Sequence, residues 1–260
     1  MSWQGKILRI NLTSGELTPE PLNMEWANDY IGERGLATKY LWENMDPKAD
    51  AMSPENALIF ATGPLTGTNA STSGRYAVVT KGPLTGAIAC SNSGGKFGAE
   101  LKYAGFDLLL IEGRSEKPVY LLIEGDEISL VSADKIWGKT VWETDAWIKK
   151  QHHNPMLKIA TIGVAGERGV RYAAVVNDLH RAAGRSGVGT VMGSKNLKAI
   201  AIRGTGGVRV KDPKRFMEVT DEMKNLLAKS TGGLTKYGTN SMMDTMQEFG
   251  GVPTNNFQQV

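Results

Sequence analysis

Two glycine-rich loops carry the residues of this chain best suited to bind a phosphate-bearing ligand. The first is Asn92-Ser93-Gly94-Gly95, and the second runs from Ala182 to Gly189. Each loop precedes a segment with a helical pattern, so backbone N–H groups and the positive end of a helix dipole are available to an anion. Arg75, Arg181 and Arg185 accompany the loops, and a guanidinium offers a planar donor fork to a phosphate or to the edge of a heterocycle. The sequence therefore predicts two phosphate-binding loops.

Neither loop matches the common nucleotide-binding motifs. The chain has no glycine followed by four residues and then Gly-Lys-Ser or Gly-Lys-Thr, so a Walker A loop is excluded. The glycines of the second loop do not form GxGxxG, and the order of strand, helix and acidic residue that a Rossmann unit requires is missing. A nucleotide-binding regulator is therefore disfavoured.

The loops belong to two blocks that resemble one another. The first block contains LIFATGP, GRYAVVT and SNSGGKFGAELKYAGFDLLLIEG, and the second contains KIATIGVAG, VRYAAVVND and AAGRSGVGTVMGSKNLKAIAIRG. Arg75 and Arg171 are predicted to open matching strands, and Gly113 and Gly204 close the blocks. Such a duplication predicts a pseudo-twofold, with both loops facing one shared site.

The hydrophobic patterns predict an α+β fold. Each block is expected to run strand, strand, glycine loop, short helix and strand, and a hairpin around Gly125-Asp126 and a helix over 141–150 lie between the blocks. Beyond Gly207 the apolar residues recur at helical spacing. We therefore predict a duplicated domain of two related sheets over residues 1–208 and the beginning of an all-helical domain over 209–260.

Composition restricts the remaining classes of function. A net charge of +3 with dispersed basic residues gives little support for nucleic-acid binding. No apolar run reaches the roughly 18 residues of a membrane span, and the start of the chain has no signal-peptide pattern, so we expect a cytoplasmic protein without membrane attachment. A single cysteine, Cys90, excludes a disulfide framework, and three histidines do not suffice for a zinc site without carboxylates.

Three long runs resemble the N-terminal domain of tungsten-containing aldehyde ferredoxin oxidoreductases: ATGPLTGTNASTSGRYAVVTKGPLTG, NSGGKFGAELKYAGFD and NDLHRAAGRSGVGTVMGSKNLKAIA. The resemblance implies a base of two related sheets for two pterin molecules that chelate one tungsten through their dithiolenes. It also implies a magnesium ion that bridges the two pterin phosphates.

The resemblance assigns cofactor-binding roles to seven positions, which are Arg75, Asn92, Gly94, Arg181, Ala182, Gly184 and Arg185. The backbone carbonyls of Asn92 and Ala182 are the implied magnesium ligands, and oxygen ligands suit this hard cation. Two plainer interpretations remain open. Arg75 is also a candidate for pairing with a carboxylate at the end of a strand, and Asn92 for capping the following helix.

The activity implied by the resemblance is oxidation of aldehydes to carboxylic acids, with electrons passed through a [4Fe–4S] cluster to ferredoxin. The CxxCxxxC segment of that cluster is missing from these residues, and no catalytic acid or base is assigned. We expect a piece of a longer enzyme, or a chain completed by a second polypeptide. Alternatives are a non-catalytic pterin carrier and a related enzyme acting on an aromatic thioester. The sequence does not distinguish tungsten from molybdenum or identify an oligomer interface.

Overall fold

The computed structural model describes residues 2–125 and 127–259. The chain divides into two compact units, of which the first ends at Lys211 and the second begins at Asp212. None of the described helices combines the length and the apolar character needed to cross a bilayer.

The strands of the described residues form two six-stranded mixed sheets, both in the first unit. The first sheet contains β1 to β6, in the spatial order β2-β1-β6-β3-β4-β5. Its strands are β1 Lys6–Asn11, β2 Glu16–Pro21, β3 Leu58–Thr62, β4 Tyr76–Lys81, β5 Ile88–Ser93 and β6 Leu108–Glu112.

The second sheet contains the next six strands, in the order β11-β10-β9-β12-β7-β8. They are β7 Val119–Glu124, β8 Glu127–Ser132, β9 Lys158–Thr161, β10 Val175–Asn177, β11 Arg181–Ala183 and β12 Leu197–Arg203.

The two sheets have the same topology. In each sheet, one strand of a hairpin pairs in parallel with the last strand of that sheet along the chain, as β1 does with β6 and β7 with β12. The remaining neighbours are antiparallel, and one edge of each sheet is formed by an antiparallel strand, β5 or β11. The predicted α+β fold with duplicated sheets is thus confirmed. The duplication is larger than the sequence blocks, because the β7–β8 hairpin is the counterpart of β1–β2. Of the predicted turn in this hairpin, Asp126 lies outside the described residues.

The main core lies between the two sheets. Phe60 and Val78 of the first sheet belong to the same buried cluster as Ile200 and Ile202 of the second. Two short helices contribute to it, α3 (Phe97–Tyr103) through Phe97 and α6 (Val188–Ser194) through Val191. These helices follow the two glycine loops, so apolar burial fixes the chain directly after each loop.

The helices of the first unit are α1 Met24–Tyr30, α2 Glu33–Asn44, α3 Phe97–Tyr103, α4 Val141–Gln151, α5 Val164–Glu167 and α6 Val188–Ser194. Of these, α2 packs on the first sheet, α4 on the second, α1 on α2 and α5 on α6. Those of the second unit are α7 Pro213–Ser230, α8 Gly232–Tyr237 and α9 Met243–Glu248, with a 3₁₀ helix at Gly238–Met242. Asp212 caps α7 by accepting a hydrogen bond from the Arg215 N–H.

Three local predictions were wrong. Asn92 and Ser93 lie in β5 rather than in a loop, and Arg181 to Ala183 form β11. Arg171 does not open a strand but lies in a turn ahead of β10. The first two errors concern polar edge strands, whose pairing depends on distant residues and leaves little local hydrophobic pattern.

Candidate functional site

The register of the sheets relates the two loops position by position. Leu108 and Ala199 lie the same number of residues before the closing glycines, Gly113 and Gly204. Directly paired residues lead from Leu108 across the first sheet to its edge: Ala61, Ala77 and Asn92. The same path leads from Ala199 across the second sheet: Thr161, Val176 and Ala182. Asn92 and Ala182 are therefore equivalent, and so are Gly94 and Gly184.

The edge strands that carry these residues, β5 and β11, lie beside one another. The Arg185 N–H donates a 3.0 Å hydrogen bond to Ser91 Oγ and so ties the second loop to the strand before the first. Asn92 and Ala182 are both exposed. Because an edge strand leaves one row of backbone N–H and C=O groups without a sheet partner, polar backbone atoms of both halves are available to a ligand.

Arg75 and Asn92 contact one another directly. Arg75 Nη1 donates a hydrogen bond to Asn92 Oδ1. This contact disfavours both of the plainer interpretations. The N-cap of α3 is Lys96, and no side-chain capping bond is made there, so Asn92 is not a helix cap. Within the described part of the chain, no ion pair joins Arg75 to a carboxylate.

Arg181 and Arg185 complete a group of three exposed arginines at the loops. Among residues 2–125 and 127–259, neither is in an ion pair. Guanidinium groups that are in no ion pair, beside exposed backbone amides, suit phosphate oxygens. The structure thus brings Arg75 into contact with Asn92 and places Ala182 and Arg185 on the strand and loop beside β5.

Gly94 and Gly184 face open space. A Cβ added to Gly94 would meet no atom within 4 Å, and one added to Gly184 would meet only the Cβ of Ala182, at 3.9 Å. Gly95 and Gly187 differ, because both have positive φ and an added Cβ would lie 2.2 Å from Asp178 Oδ2 and 2.1 Å from the Arg171 carbonyl oxygen. Gly94 and Gly184 therefore leave room for a ligand above the surface. Gly95 and Gly187 are instead required by the backbone conformation and the close packing around them.

A pocket of about 340 Å³ opens beside Arg75, between residues 31–33 and the loops at 63–66 and 71–73. Burial raises the pKa of the Glu33 carboxyl in its wall, and the charge of Arg75 opposes this shift. Sequence reasoning did not identify Glu33, which is the first residue of α2.

Sequence reasoning also missed Asn177 and Asp178, which join the two loops. Asn177 is fully buried and binds Tyr76, Ser93 and Gly94 of the first half. Asp178 Oδ2 accepts a 2.7 Å hydrogen bond from the Lys96 N–H, at the start of α3. The sequence did contain a signal for these residues, since the polar pair Asn-Asp directly follows the apolar residues Val175 and Val176. An amide buried at the end of an apolar strand requires hydrogen-bond partners.

The donor set fits a pterin phosphate and its magnesium ion. Backbone carbonyls at equivalent positions offer oxygen ligands of the kind that Mg²⁺ takes, and the arginines and loop amides suit phosphate oxygens. No group of three or more His, Cys, Asp or Glu side chains placed to hold a metal occurs among the described residues. Cys90 is half-buried against the cluster under α2, and burial raises the pKa of its thiol, which does not favour a thiolate ligand.

Comparison with known proteins agrees with this geometry. The model of the aldehyde ferredoxin oxidoreductase N-terminal domain matches residues 7–204. The tungsten-containing aldehyde ferredoxin oxidoreductase of Pyrococcus abyssi is 54% identical over 98% of this chain. The aliphatic sulfonate oxidoreductase WOR-like subunit of Pyrococcus furiosus is 34% identical over 79% of it. The chain spans 42% and 35% of the lengths of these relatives.

A solved structure shares the fold. It is the active-site complex of a benzoyl coenzyme A reductase bound to 1,5-dienoyl-CoA, with a TM-score of 0.86 and 36% identity. The match covers 88% of this chain and 35% of the solved one. With a family match over most of its first unit and relatives above half identity, the chain belongs to the aldehyde ferredoxin oxidoreductase family.

Proposed function

We propose that residues 1–208 form the base on which a bis-pterin tungsten cofactor binds, in an enzyme that oxidises aldehydes, and that 209–260 begin a helical domain. One observation carries the proposal: two equivalent loops, each with an exposed backbone and an open glycine, lie side by side across a pseudo-twofold. A cofactor with two similar halves and a bridging cation is the ligand that best matches such a pair.

The residues of this chain bind and orient the cofactor. The carbonyls of Asn92 and Ala182 hold magnesium, one from each half. Gly94 and Gly184 allow the pterins to approach the backbone closely. Arg181 and Arg185 neutralise phosphate charge.

Arg75 has a separate role in this proposal. It lies between the loop of the first half and the 340 Å³ pocket. Its hydrogen bond to the Asn92 side chain fixes that side chain and leaves the Asn92 carbonyl for the cation. Its charge stabilises anionic groups near the pocket, which is where we place the side of the site facing the [4Fe–4S] cluster.

The chemistry belongs to the cofactor and to residues outside this chain. When bound, the tungsten centre supplies the two-electron redox couple by which an aldehyde and water give a carboxylic acid, two protons and two electrons. We propose that the electrons leave through a [4Fe–4S] cluster, whose ligands lie outside this chain, to ferredoxin or a ferredoxin-like subunit.

Aldehyde is favoured over other substrates by the degree of similarity. Four relatives named as tungsten-containing aldehyde ferredoxin oxidoreductases are 52–54% identical over 98% of the chain. The benzoyl coenzyme A reductase structure, which represents the aromatic thioester alternative, is 36% identical.

The test is elemental analysis for tungsten, molybdenum, magnesium and iron, with pterin fluorescence after oxidation, on protein purified anaerobically from its source. We expect tungsten, about two pterins and one magnesium per tungsten, iron, and reduction of ferredoxin by aldehydes. Pterin without iron or turnover would instead identify a carrier. Turnover of aromatic thioesters alone would identify the reductase, and the absence of pterin and metal would overturn the proposal.

A further inference from the structure

One buried residue breaks the symmetry between the two sheets. Asn177 of β10 pairs with Ala160, which pairs with Ile200. The same path in the first sheet, from Leu109 through Phe60, ends at Val78. Asn177 and Val78 are both fully buried. A buried amide in place of an apolar side chain costs free energy unless every polar atom is satisfied.

The Asn177 side chain makes four hydrogen bonds, and three of them reach the other half of the molecule. Tyr76 Oη donates to Asn177 Oδ1 over 2.9 Å, and Ser93 Oγ donates to the same oxygen over 2.7 Å. Asn177 Nδ2 donates to the Gly94 carbonyl over 2.9 Å and to Asp178 Oδ2 over 2.8 Å. The amide is therefore fully used, and it holds the end of β5 at Ser93 and Gly94.

The backbone of Asn177 is bound to the second loop. It lies in β10 directly opposite Arg181 of β11, next to the pair formed by Val176 and Ala182. One residue thus connects the two equivalent sites, through its backbone to Ala182 and through its side chain to Gly94.

Asp178 extends this connection to the start of α3. Its Oδ2 accepts hydrogen bonds from the Lys96 N–H and from Asn177. Asp178 and Leu179 both have positive φ, 47° and 61°, a conformation that costs free energy in residues other than glycine. The carboxylate also occupies the place where a side chain at Gly95 would lie.

We propose that Asn177 and Asp178 are positioning residues that set the distance between the Asn92–Gly94 and Ala182–Gly184 sites. The inference rests on the proposed function and deepens it. Magnesium requires nearly octahedral geometry with oxygens at about 2.0–2.1 Å, so carbonyls from two separate sheets bind one ion only if the sheets keep a fixed register. Asn177 provides that register. Its equivalent in the first sheet is Val78, so the pseudo-twofold alone would place a valine at position 177.

The test compares Asn177→Asp with Asn56→Asp in the full-length protein. Asn56 is a matched control, because it is also fully buried and also makes four hydrogen bonds through its side-chain amide, to Ala51, Thr80 and Lys81. All of these partners lie in the first half. Each substitution keeps the shape of the side chain and removes its N–H donors.

Two readouts separate positioning from stability. The first is magnesium and pterin per polypeptide after anaerobic purification and gel filtration. The second is hydrogen exchange of peptides covering 88–97 and 180–187 in cofactor-free protein. We expect both variants to lose similar stability. Only Asn177→Asp should retain magnesium on the order of tenfold less well, as is typical when support for a ligand is removed, and exchange faster at both peptides.

The outcomes are distinguishable. Unchanged cofactor content in Asn177→Asp, or equal loss in Asn56→Asp, overturns the positioning role. If wild-type protein contains no pterin, the proposed function fails, and unchanged exchange in Asn177→Asp then overturns the positioning role separately. Should Asn177→Asp not fold, Asp178→Gly removes the acceptor for the Lys96 N–H while keeping the backbone conformation accessible, and the same two readouts apply.

Discussion

Ala182 of the second sheet stands at the position that Asn92 occupies in the first, when both are traced through strand pairing from the closing glycines. Both residues are exposed and lie on adjoining edge strands. The side chains differ, since one is an amide and the other a methyl group. A function shared by the two positions must therefore depend on the backbone, which agrees with carbonyl ligands to a single cation.

Replacing Arg75 should impair binding of the cofactor. Arg75→Ala removes a charged donor from the loop and the hydrogen bond to Asn92, and hydrogen bonds to charged groups contribute about 1.5–3 kcal/mol. We expect tungsten and pterin content of the full-length protein to fall by roughly tenfold or more. Arg75→Lys should recover it only in part, because lysine lacks the planar fork.

The control for Arg75 is Arg168→Ala, at another exposed arginine outside the loops. It should leave metal and pterin content unchanged. Metal content and activity equal to wild type in Arg75→Ala would remove Arg75 from the site.

Side chains at Gly94 and Gly184 should block the cofactor without harming the fold. Their added Cβ atoms meet no close protein atom and neither residue has positive φ. Replacing glycine by alanine at such positions stabilises a protein by about 0.4–1 kcal/mol through the unfolded chain. We expect Gly94→Ala and Gly184→Ala to melt at or above the wild-type temperature in cofactor-free form, yet to retain less pterin.

Gly207→Ala is the matched control for the glycine pair. It too has open space around an added Cβ, and it lies after the last strand of the second sheet. It should raise the melting temperature by a similar small amount through the unfolded chain and leave pterin content unchanged. Full pterin content in Gly94→Ala and Gly184→Ala would show that the cofactor does not approach these glycines.

Lys102 and Asp107 form a buried ion pair, and we expect the effects of their substitutions on the free energy of unfolding to be strongly coupled. Lys102 Nζ lies 2.6 Å from Asp107 Oδ1 and also donates to the Ser2 carbonyl. Lys102→Met strands a buried carboxylate, and breaking such a pair costs about 3–5 kcal/mol. The double variant Lys102→Met/Asp107→Asn should be less destabilised, since neither site then carries a charge.

Denaturant unfolding of the single and double variants measures this coupling as a double-mutant cycle. The exposed pair of Arg215 and Glu218, 3.2 Å apart, serves as comparison. Its coupling should be below about 1 kcal/mol. Additive effects of the Lys102 and Asp107 substitutions would contradict the expectation.

Lys195 should make stability depend on pH. Burial lowers the pKa of Lys195 to about 8, and its Nζ donates to the carbonyls of Pro54 and Gly113. Between pH 8 and the higher pKa of the unfolded chain, the unfolded state binds more protons than the folded state. The stability contribution of Lys195 therefore rises with pH across this interval.

The measurement is the free energy of unfolding of wild type and Lys195→Met from pH 7.5 to 10.5. The difference in favour of wild type should grow as the pH rises. Lys48→Met, at an exposed lysine, should show a constant difference. A constant difference for Lys195→Met as well would mean that Lys195 keeps its ordinary pKa in the fold.

The sequence by itself determined the α+β class, the duplication and the family, and it predicted seven residues at the loops. These follow from repeated hydrophobic patterns and glycine positions, which are local or repeated along the chain. Strongly apolar strands such as β3 and β6 were predicted for the same reason, because several consecutive apolar residues indicate a buried strand.

Only the tertiary structure decided which residues hold the two halves in register. The edge strands β5 and β11 form because they pair with β4 and β10. The hydrogen bonds of Asn177 depend on Tyr76 and Ser93, which lie far away in sequence. Sequence similarity aligned Arg75 with Arg171. Strand pairing gives a different alignment, in which Ala77 and Val176 are equivalent because they pair with the equivalent residues Asn92 and Ala182. Hydrogen bonds between distant segments leave no periodic pattern in either segment, so their register is fixed only when the sheets pack.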